Sequence, residues 1–145
     1  MYSKILAAVD GSETSMKAFK HAVNLAKIHK AEVTMLTVFE ELNLPFGAQY
    51  ELWAEDSREN YISRVLEAMN KALQEIRNEA TTIETEARIE EGRPGKVITE
   101  IAEKEGFDLI VIGSRGLGNV REMILGSVSR EVVRISNIPV LIIKG

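Results

Sequence analysis

The chain has 145 residues, which is enough for one domain with a hydrophobic core and too short for two ordinary domains. Hydrophobic residues make up 45% and charged residues 28%, a balance typical of a globular chain and not of a disordered one. The formal net charge of -4 disfavours nonspecific attraction to nucleic acid or to anionic lipid, so neither is expected as a partner.

The composition also excludes several kinds of chemistry. The chain has no cysteine, which rules out disulfides, thiol nucleophiles and iron–sulfur clusters. Its two histidines, His21 and His29, fall on one predicted helix with no third ligand at metal spacing, so no zinc site is expected. The N-terminal residues run directly into a strand, without a signal-peptide core, and no transmembrane run follows. We therefore expect a cytoplasmic protein.

The first predicted strand covers residues 4–9, a short apolar run that ends in Asp10. After Ser12, apolar residues at helical spacing predict a helix: Met16, Phe19, Val23 and Ala26. Asp10 therefore stands at the carboxyl end of a strand, where open parallel sheets bind ligands. It could equally cap the helix that follows, and the sequence leaves both interpretations open.

A second strand is predicted over residues 32–38, and an irregular segment follows over residues 39–54. That segment contains Pro45, Gly47 and three aromatic residues: Phe46, Tyr50 and Trp53. Long connections are often lids or binding loops, whereas the aromatic side chains could also fold back as a satellite core. Both interpretations stay open. A long amphipathic helix is predicted from about Asp56.

The second half of the chain continues the alternation of strands and helices. We predict strands at residues 82–90, 109–112 and 140–143, a short helix between Pro94 and Gly106, and a last helix that reaches Ile135. This order predicts an α/β fold, a single doubly wound domain whose parallel sheet has helices on both faces. In such a sheet, the strand ends that carry Asp10 and Gly113 can lie side by side.

The most informative stretch is the glycine-punctuated loop within residues 113–129, between a buried strand and the last helix. Gly113 and Gly116 follow the strand, where they could adopt positive φ or let a ligand approach the backbone. Gly126 precedes the helix, with Ser127 as the candidate N-cap. Arg115 adds a cation, and Arg121 is a second candidate. Because a helix N-terminus favours anions, the loop is predicted to hold phosphates; the alternative is that the glycines only make turns.

Two better-known phosphate motifs do not fit this chain. Residues 92–97 lack the leading glycine of a P-loop, since that position is Glu90, and Val97 follows the lysine in place of serine or threonine. Residues 116–121 begin like a dinucleotide fingerprint, but the third glycine is replaced by Arg121. NAD is therefore not expected.

The sequence resembles the universal stress proteins, in particular the ATP-binding subgroup. The similarity covers residues 1–145, from the strand that ends in Asp10 to the final strand after Pro139. Its most specific element is the spacing of Gly113, Gly116 and Gly126 followed by Ser127, with two and then nine residues between the glycines.

The resemblance implies a five-stranded parallel sheet in the order 3-2-1-4-5 and a homodimer in which the C-terminal strands of two subunits pair. It also implies an ATP site in which Ala8 and Asp10 contact the adenosine, the ribose or metal-bound phosphate, and Val38 lines the adenine. The implied nucleotide-binding residues are Ala8, Val9, Asp10, Val38, Ile112, Gly113, Arg115, Gly116, Gly126, Ser127 and Val128. Asp10 is also the implied ligand for Mg²⁺ or Mn²⁺.

The function expected from this reasoning is an ATP-binding module that reports nucleotide state in stress resistance to an unidentified protein partner. Hydrolysis needs a positioned base or water-orienting group beyond what binding needs, and Asp10 is the obvious carboxylate at the site, so we expect little or slow turnover and assign no catalytic residue. A slow ATPase or a self-phosphorylating enzyme of the same fold is the alternative. A receiver-like phosphoacceptor domain is disfavoured, because it would need paired acidic residues after the first strand.

Overall fold

The computed structural model describes residues 1–40, 48–79, 82–116 and 125–145. Strands and helices alternate as the sequence predicts. The strands are β1 (Lys4–Ala8), β2 (Glu32–Phe39), β3 (Thr85–Glu91), β4 (Leu109–Gly113) and β5 (Val140–Ile143). The helices are α1 (Glu13–His29), α2 (Ala48–Asn78), α3 (Pro94–Lys104) and α4 (Ser127–Ile135).

The five strands form one parallel sheet in the order β3-β2-β1-β4-β5, which confirms the expected topology. β1 lies at the centre, where Ala8 is opposite Leu36 of β2 on one side and Ile112 of β4 on the other. Because all strands run the same way, their carboxyl ends lie at one edge of the sheet. We call this the carboxyl edge and the opposite one the amino edge.

Alternating side chains of the strands build a hydrophobic core on each face of the sheet. On the face covered by α1 and α2, the buried set includes Ile5, Ala7, Val9, Phe19, Met35, Met69 and Val111. On the other face, called here the α3/α4 face, it comprises Leu6, Ala8, Leu36, Ile98, Ala102, Phe107, Ile110, Ile112 and Val132. Burial on both faces explains why β1 and β4 are continuously apolar.

Several of the predicted boundaries differ from those in the structure. Helix α2 begins at Ala48 and not near Asp56, and Phe39 belongs to β2, so both ends of the predicted irregular segment lie in regular structure. Good helix formers are frequent from Ala48 onward, so the helix begins soon after the helix breakers Pro45 and Gly47. Residues 41–47, including Phe46, and the side chains of Tyr50 and Trp53 lie outside the described part, so their two interpretations stay untested. Strand β3 starts at Thr85, three residues later than predicted.

Helix α3 ends near the predicted stop at Gly106. Its last residue is Lys104, and Gly106 has a φ of 75°, the left-handed conformation that glycine adopts readily after a helix. Among the described residues, no helix has both the length and the apolar character needed to cross a membrane.

Candidate functional site

The neighbouring strands β1 and β4 place Asp10 beside the glycine loop at the carboxyl edge, as the sequence predicted. Gly116 lies so close to Asp10 that a Cβ added at this glycine would collide with the carboxylate oxygen Oδ2. Gly126 closes the other side, where an added Cβ would lie 3.5 Å from Arg115 Cα and from the Ser114 carbonyl oxygen. The two ends of the loop therefore meet next to Asp10. Arg121 and the rest of residues 117–124 lie outside the described residues.

Asp10 is held by the turn that leads into α1. The Ser12 N–H donates to Asp10 Oδ1 at 2.9 Å, and the Asp10 N–H donates to Ser15 Oγ at 3.2 Å. The N-cap of α1 is Ser12, whose Oγ accepts from the Ser15 N–H at 3.1 Å. Of the two interpretations of Asp10, the helix cap is therefore wrong, because Ser12 takes that position.

Helix α4 starts differently from the prediction. Its N-cap is Gly126, with no side-chain hydrogen bond, and Ser127 is the first helical residue and is exposed. The predicted N-cap role of Ser127 is wrong, because the Gly126 carbonyl already accepts from the Arg130 N–H at 3.0 Å. The first amides of any helix lack acceptors within the helix, and no acidic residue occupies the first turn of α4.

Two hydrogen bonds tie the start of α4 to the end of β4, and the sequence analysis missed both. The Gly126 N–H donates to the Ser114 carbonyl at 2.6 Å, and the Ser129 hydroxyl contacts the same carbonyl at 3.0 Å. Ser114 and Ser129 are both buried. A buried serine in a first turn signals a local backbone contact, and Ser129 could have been found on that ground.

The starts of α1 and α3 contrast with that of α4. Helix α1 has the Ser12 cap and an acidic residue, Glu13, in its first turn. Helix α3 has no acidic residue of its own there, but the Glu131 side chain packs against Gly95, so that a Cβ on this glycine would lie 2.9 Å from the Glu131 carboxyl carbon. Of these three starts, only α4 has neither a side-chain cap nor a carboxylate at its first turn.

Four of the predicted nucleotide-binding residues have their side chains on the α3/α4 face, although the resemblance assigns Val38 to the adenine and Val128 to the outer phosphates. Ala8 and Ile112 are buried in its core, and Val38 and Val128 are partly buried against it. Val9 does not join them, because its side chain is buried on the α1/α2 face and only its backbone lies near the others. The four side chains form an apolar wall that leads from β2 to the start of α4.

Of the two roles predicted for Gly113 and Gly116, a positive φ is wrong for both, and the close approach of a ligand stays a prediction. Neither Gly113 nor Gly116 has a positive φ; in the described chain, the glycines that do are Gly11, Gly92 and Gly106. Gly113 is needed for helix packing, since a Cβ there would lie 2.9 Å from Thr14 Cγ2 of α1. Gly116 lies beside Asp10, as predicted. A glycine is needed there because the Asp10 carboxylate leaves no room for a side chain.

The described residues contain no group of three or more His, Cys, Asp or Glu side chains that could hold a metal ion by themselves. A metal at Asp10 would therefore need oxygen atoms from a bound ligand to complete its coordination.

The model of the universal stress protein family matches residues 1–144. The chain belongs to this family. It is 35% identical over 150 residues to the universal stress protein YxiE of Bacillus subtilis, covering 99% of this chain and 100% of that protein. It is also 35% identical over 156 residues to the universal stress protein MJ0577 of Methanocaldococcus jannaschii, covering 99% and 96% of the two chains.

Solved structures of universal stress proteins have the same fold. UspA from Lactobacillus plantarum superposes with a TM-score of 0.87 at 26% identity, over 98% of this chain and 97% of that one. A universal stress protein in complex with cAMP gives a TM-score of 0.69 at 27% identity, over 98% and 97% of the chains. One from Archaeoglobus fulgidus in complex with dAMP gives 0.69 at 25% identity, over 99% and 98%.

Proposed function

We propose that this universal stress protein binds ATP at the carboxyl edge of its sheet and acts as a nucleotide-responsive module in stress resistance. The observation that carries the proposal is the start of α4, which has no capping side chain and no first-turn acid and lies beside Gly116 and Asp10. Unpaired amides and the helix dipole favour an anion at such a place. Structural neighbours in complex with adenine nucleotides support the same class of ligand.

The phosphates fit the helix start. In the proposed complex, the backbone N–H groups of Ser127 and Val128 donate to the outer phosphates, together with the Ser127 hydroxyl. Gly126 leaves the backbone accessible, and the hydrogen bonds to Ser114 keep this turn fixed before the ligand arrives. A turn fixed in this way need not itself be ordered when the ligand binds.

The adenosine end fits the apolar wall. Val38, Ala8 and Ile112 offer an apolar surface to the base, and the Val9 and Asp10 backbone lies next to it. Asp10 would accept a ribose hydroxyl or hold a divalent metal ion bridged to the phosphates. Gly113, Arg115 and Gly116 would surround the ribose and inner phosphates, where the missing side chain of Gly116 leaves room beside the carboxylate.

Binding is proposed without efficient hydrolysis. Phosphoryl transfer to water needs a group that orients the attacking water in addition to the contacts that hold the phosphates. Asp10 already has Ser12 and Gly116 in close contact, which suits a carboxylate that positions a ligand. Slow hydrolysis or self-phosphorylation is the alternative outcome, and covalent transfer of labelled phosphate to the protein would favour it.

The edge strand β5 is the proposed surface for pairing with a second subunit. β5 lies at the edge of the sheet, and Val140, Leu141 and Ile142 are only partly buried in the single chain. Pairing of this strand with its copy in a second subunit would cover them, so we propose a homodimer through β5. The downstream protein partner is unidentified, and the cytoplasmic location stays a prediction from the sequence.

Isothermal titration calorimetry on protein stripped of nucleotide tests the binding proposal. We expect saturable binding of ATP with Mg²⁺, and weaker binding of adenosine and of inorganic tripolyphosphate, since each offers only one half of the contacts. Mass spectrometry of small molecules released from the purified protein provides an independent reading. Absence of ATP binding in both measurements would contradict the proposal.

A further inference from the structure

An ion pair joins the starts of α3 and α4 near the candidate site. Arg93, the N-cap residue of α3, donates from Nε and Nη2 to Glu131 Oε2 at 3.1 and 2.6 Å. Arg93 follows β3, whereas Glu131 lies on the helix that follows β4. The contact therefore connects segments whose strands are separated by β2 and β1 in the sheet.

The pair is close enough to the start of α4 to influence an anion bound there. Glu131 lies four residues after Ser127, which corresponds to about 6 Å along the helix axis. The Debye length at physiological ionic strength is about 8 Å, so a charge at Glu131 is only partly screened from a ligand at the first turn.

The two members of the pair are unequally exposed. The Glu131 side chain is only 16% exposed, and it is packed against Gly95, whereas the Arg93 side chain is 67% exposed. The carboxylate is therefore fixed by packing near the start of α4, and its neutralisation depends on Arg93. Without that arginine, Glu131 would repel a polyphosphate more strongly with each added phosphate charge.

We propose that Arg93 is a specificity-determining residue that sets how strongly the site prefers nucleoside triphosphates over monophosphates. Arg93 acts by neutralising the Glu131 carboxylate. It alters the electrostatic potential at the site without contacting the reacting atoms. This inference rests on the proposed function, because it concerns the ligand of the same site. The ligand class it favours is a nucleotide with several phosphates.

The test compares the Kd for AMP with the Kd for ATP, both in Mg²⁺-free buffer, in the wild type, Arg93→Ala, Glu131→Gln and the double variant. Arg93→Ala should lower the preference for ATP about 5-fold, and Glu131→Gln should raise it, because each change shifts the local charge in the opposite direction. The double variant should return close to the wild-type ratio. Both single effects should shrink in about 0.5 M salt, where the Debye length falls to roughly 4 Å.

Lys27→Ala is the matched control. Lys27 pairs with Glu79 at 3.0 Å in the last turn of α1, at the amino edge, and its removal changes the net charge by the same amount as Arg93→Ala. We expect the ATP-to-AMP ratio to stay at the wild-type value in this variant. Thermal unfolding of all variants shows whether loss of the Glu131 carboxylate beside α3 changes folding as well as binding.

The outcomes separate this inference from the proposed function. If the wild type binds ATP and Arg93→Ala keeps the wild-type ratio, or if Glu131→Gln shifts the ratio in the same direction as Arg93→Ala, the role of Arg93 is wrong and the proposed function stands. If the wild type binds neither nucleotide, the proposed function is wrong, and this inference, which rests on it, is wrong as well.

Discussion

The starts of α1 and α4 follow neighbouring strands at the same edge of the sheet, yet they satisfy their backbone amides differently. At α1, the Ser12 side chain caps the helix, Asp10 accepts from the Ser12 N–H, and Glu13 complements the helix dipole. At α4, the corresponding places are occupied by Gly126 and the exposed Ser127. At the start of α1, the protein's own side chains satisfy backbone N–H groups. At the start of α4, no side chain caps the first N–H groups, which leaves them as candidate donors to an anion. The proposed phosphate site depends on this difference, because only the start of α4 leaves its first amides without a side-chain cap.

The largest expected effect comes from filling the space beside Gly116. In Gly116→Val, the new Cβ would collide with Asp10 Oδ2, so that the loop or the carboxylate must move. Overpacking of this kind typically costs about 1–3 kcal/mol, which predicts a loss of ATP affinity of roughly 10-fold or more by calorimetry. Ala87→Val, at an exposed position on β3, is the control and should bind ATP as the wild type does. Equal ATP affinities in the two variants would show that Gly116 is not part of the ATP site.

Asp10→Ala tests whether the carboxylate acts through a metal ion. If Asp10 holds a divalent cation bridged to the phosphates, its removal should weaken ATP binding about 10-fold with Mg²⁺ present and much less in EDTA. An equal loss in both buffers would indicate a ribose contact in place of a metal. The measurement is ATP calorimetry in matched buffers, with circular dichroism to confirm that the turn before α1 still folds.

Ser12→Ala and Ser127→Ala compare the two helix starts directly. Loss of the Ser12 cap should lower the free energy of unfolding by about 1 kcal/mol, because the Ser15 N–H loses its acceptor. Ser127 is not the N-cap of α4, so Ser127→Ala should change the free energy of unfolding by less than about 0.5 kcal/mol. Urea denaturation of the ligand-free proteins measures both values. A larger loss in Ser127→Ala than in Ser12→Ala would contradict the assignment of the caps.

Ser127→Asp makes the start of α4 resemble that of α1. An acidic residue in the first turn should raise the free energy of unfolding by about 0.3–1 kcal/mol through the helix dipole. The same charge should repel phosphates and lower ATP affinity severalfold, so stability and binding are expected to change in opposite directions. Thermal unfolding and calorimetry on the same sample check both signs, and unchanged ATP affinity would show that the first turn is not where the phosphates bind.

The smallest effect on stability is expected at the amino edge, where the Asp108 carboxylate accepts hydrogen bonds from backbone amides far from the candidate site. Asp108 accepts from the Ser3 N–H and hydroxyl, both at 2.8 Å, and from the Lys4 N–H at 3.2 Å. Partial burial acts to raise the pKa of Asp108, but these hydrogen bonds outweigh it and lower the pKa below its ordinary value. The stabilisation is therefore present above the unfolded-state pKa of about 3.9 and is lost as the pH falls through the lower folded-state pKa.

Asp108→Asn measures that contribution. It should lower the free energy of unfolding at pH 7 by less than about 1 kcal/mol, since the group is partly exposed, and the difference from the wild type should shrink below about pH 4. Urea denaturation at several pH values follows both trends. Glu86→Gln, at an exposed position on β3, serves as control and should show neither. A difference that grows toward low pH would contradict the assigned direction of the pKa shift.

Local patterns predicted the strands well and the helix starts less well. The short apolar runs of β1 and β4 are typical of strands buried on both faces of a parallel sheet, so their positions could be predicted from the residues. Serine is favoured over glycine as an N-cap, so the sequence predicts Ser127 there, yet the buried Ser129 and the Ser114 carbonyl fix the turn so that Gly126 is the N-cap. A tertiary contact thus overrode a local preference.

Contacts between distant segments were beyond the reach of sequence patterns. The exact order of the strands is implied only by the family resemblance, whereas the adjacency of Asp10 and the glycine loop is already expected from a doubly wound parallel sheet. Arg93 and Glu131 are 38 residues apart, and no periodicity connects them. The packing role of Gly113 has no sequence signal either, because the neighbour that excludes a side chain there, Thr14, lies on another element.

Phosphate binding by the first amides of α4 can be observed residue by residue when ¹⁵N-labelled protein is titrated with ATP and followed by NMR. We expect the largest amide shifts at Ser127 and Val128, with small changes at the capped start of α1 around Ser15. Saturable ATP binding that shifts the amides at the start of α1 or α3, and leaves Ser127 and Val128 unchanged, would show that the phosphates do not bind at the start of α4.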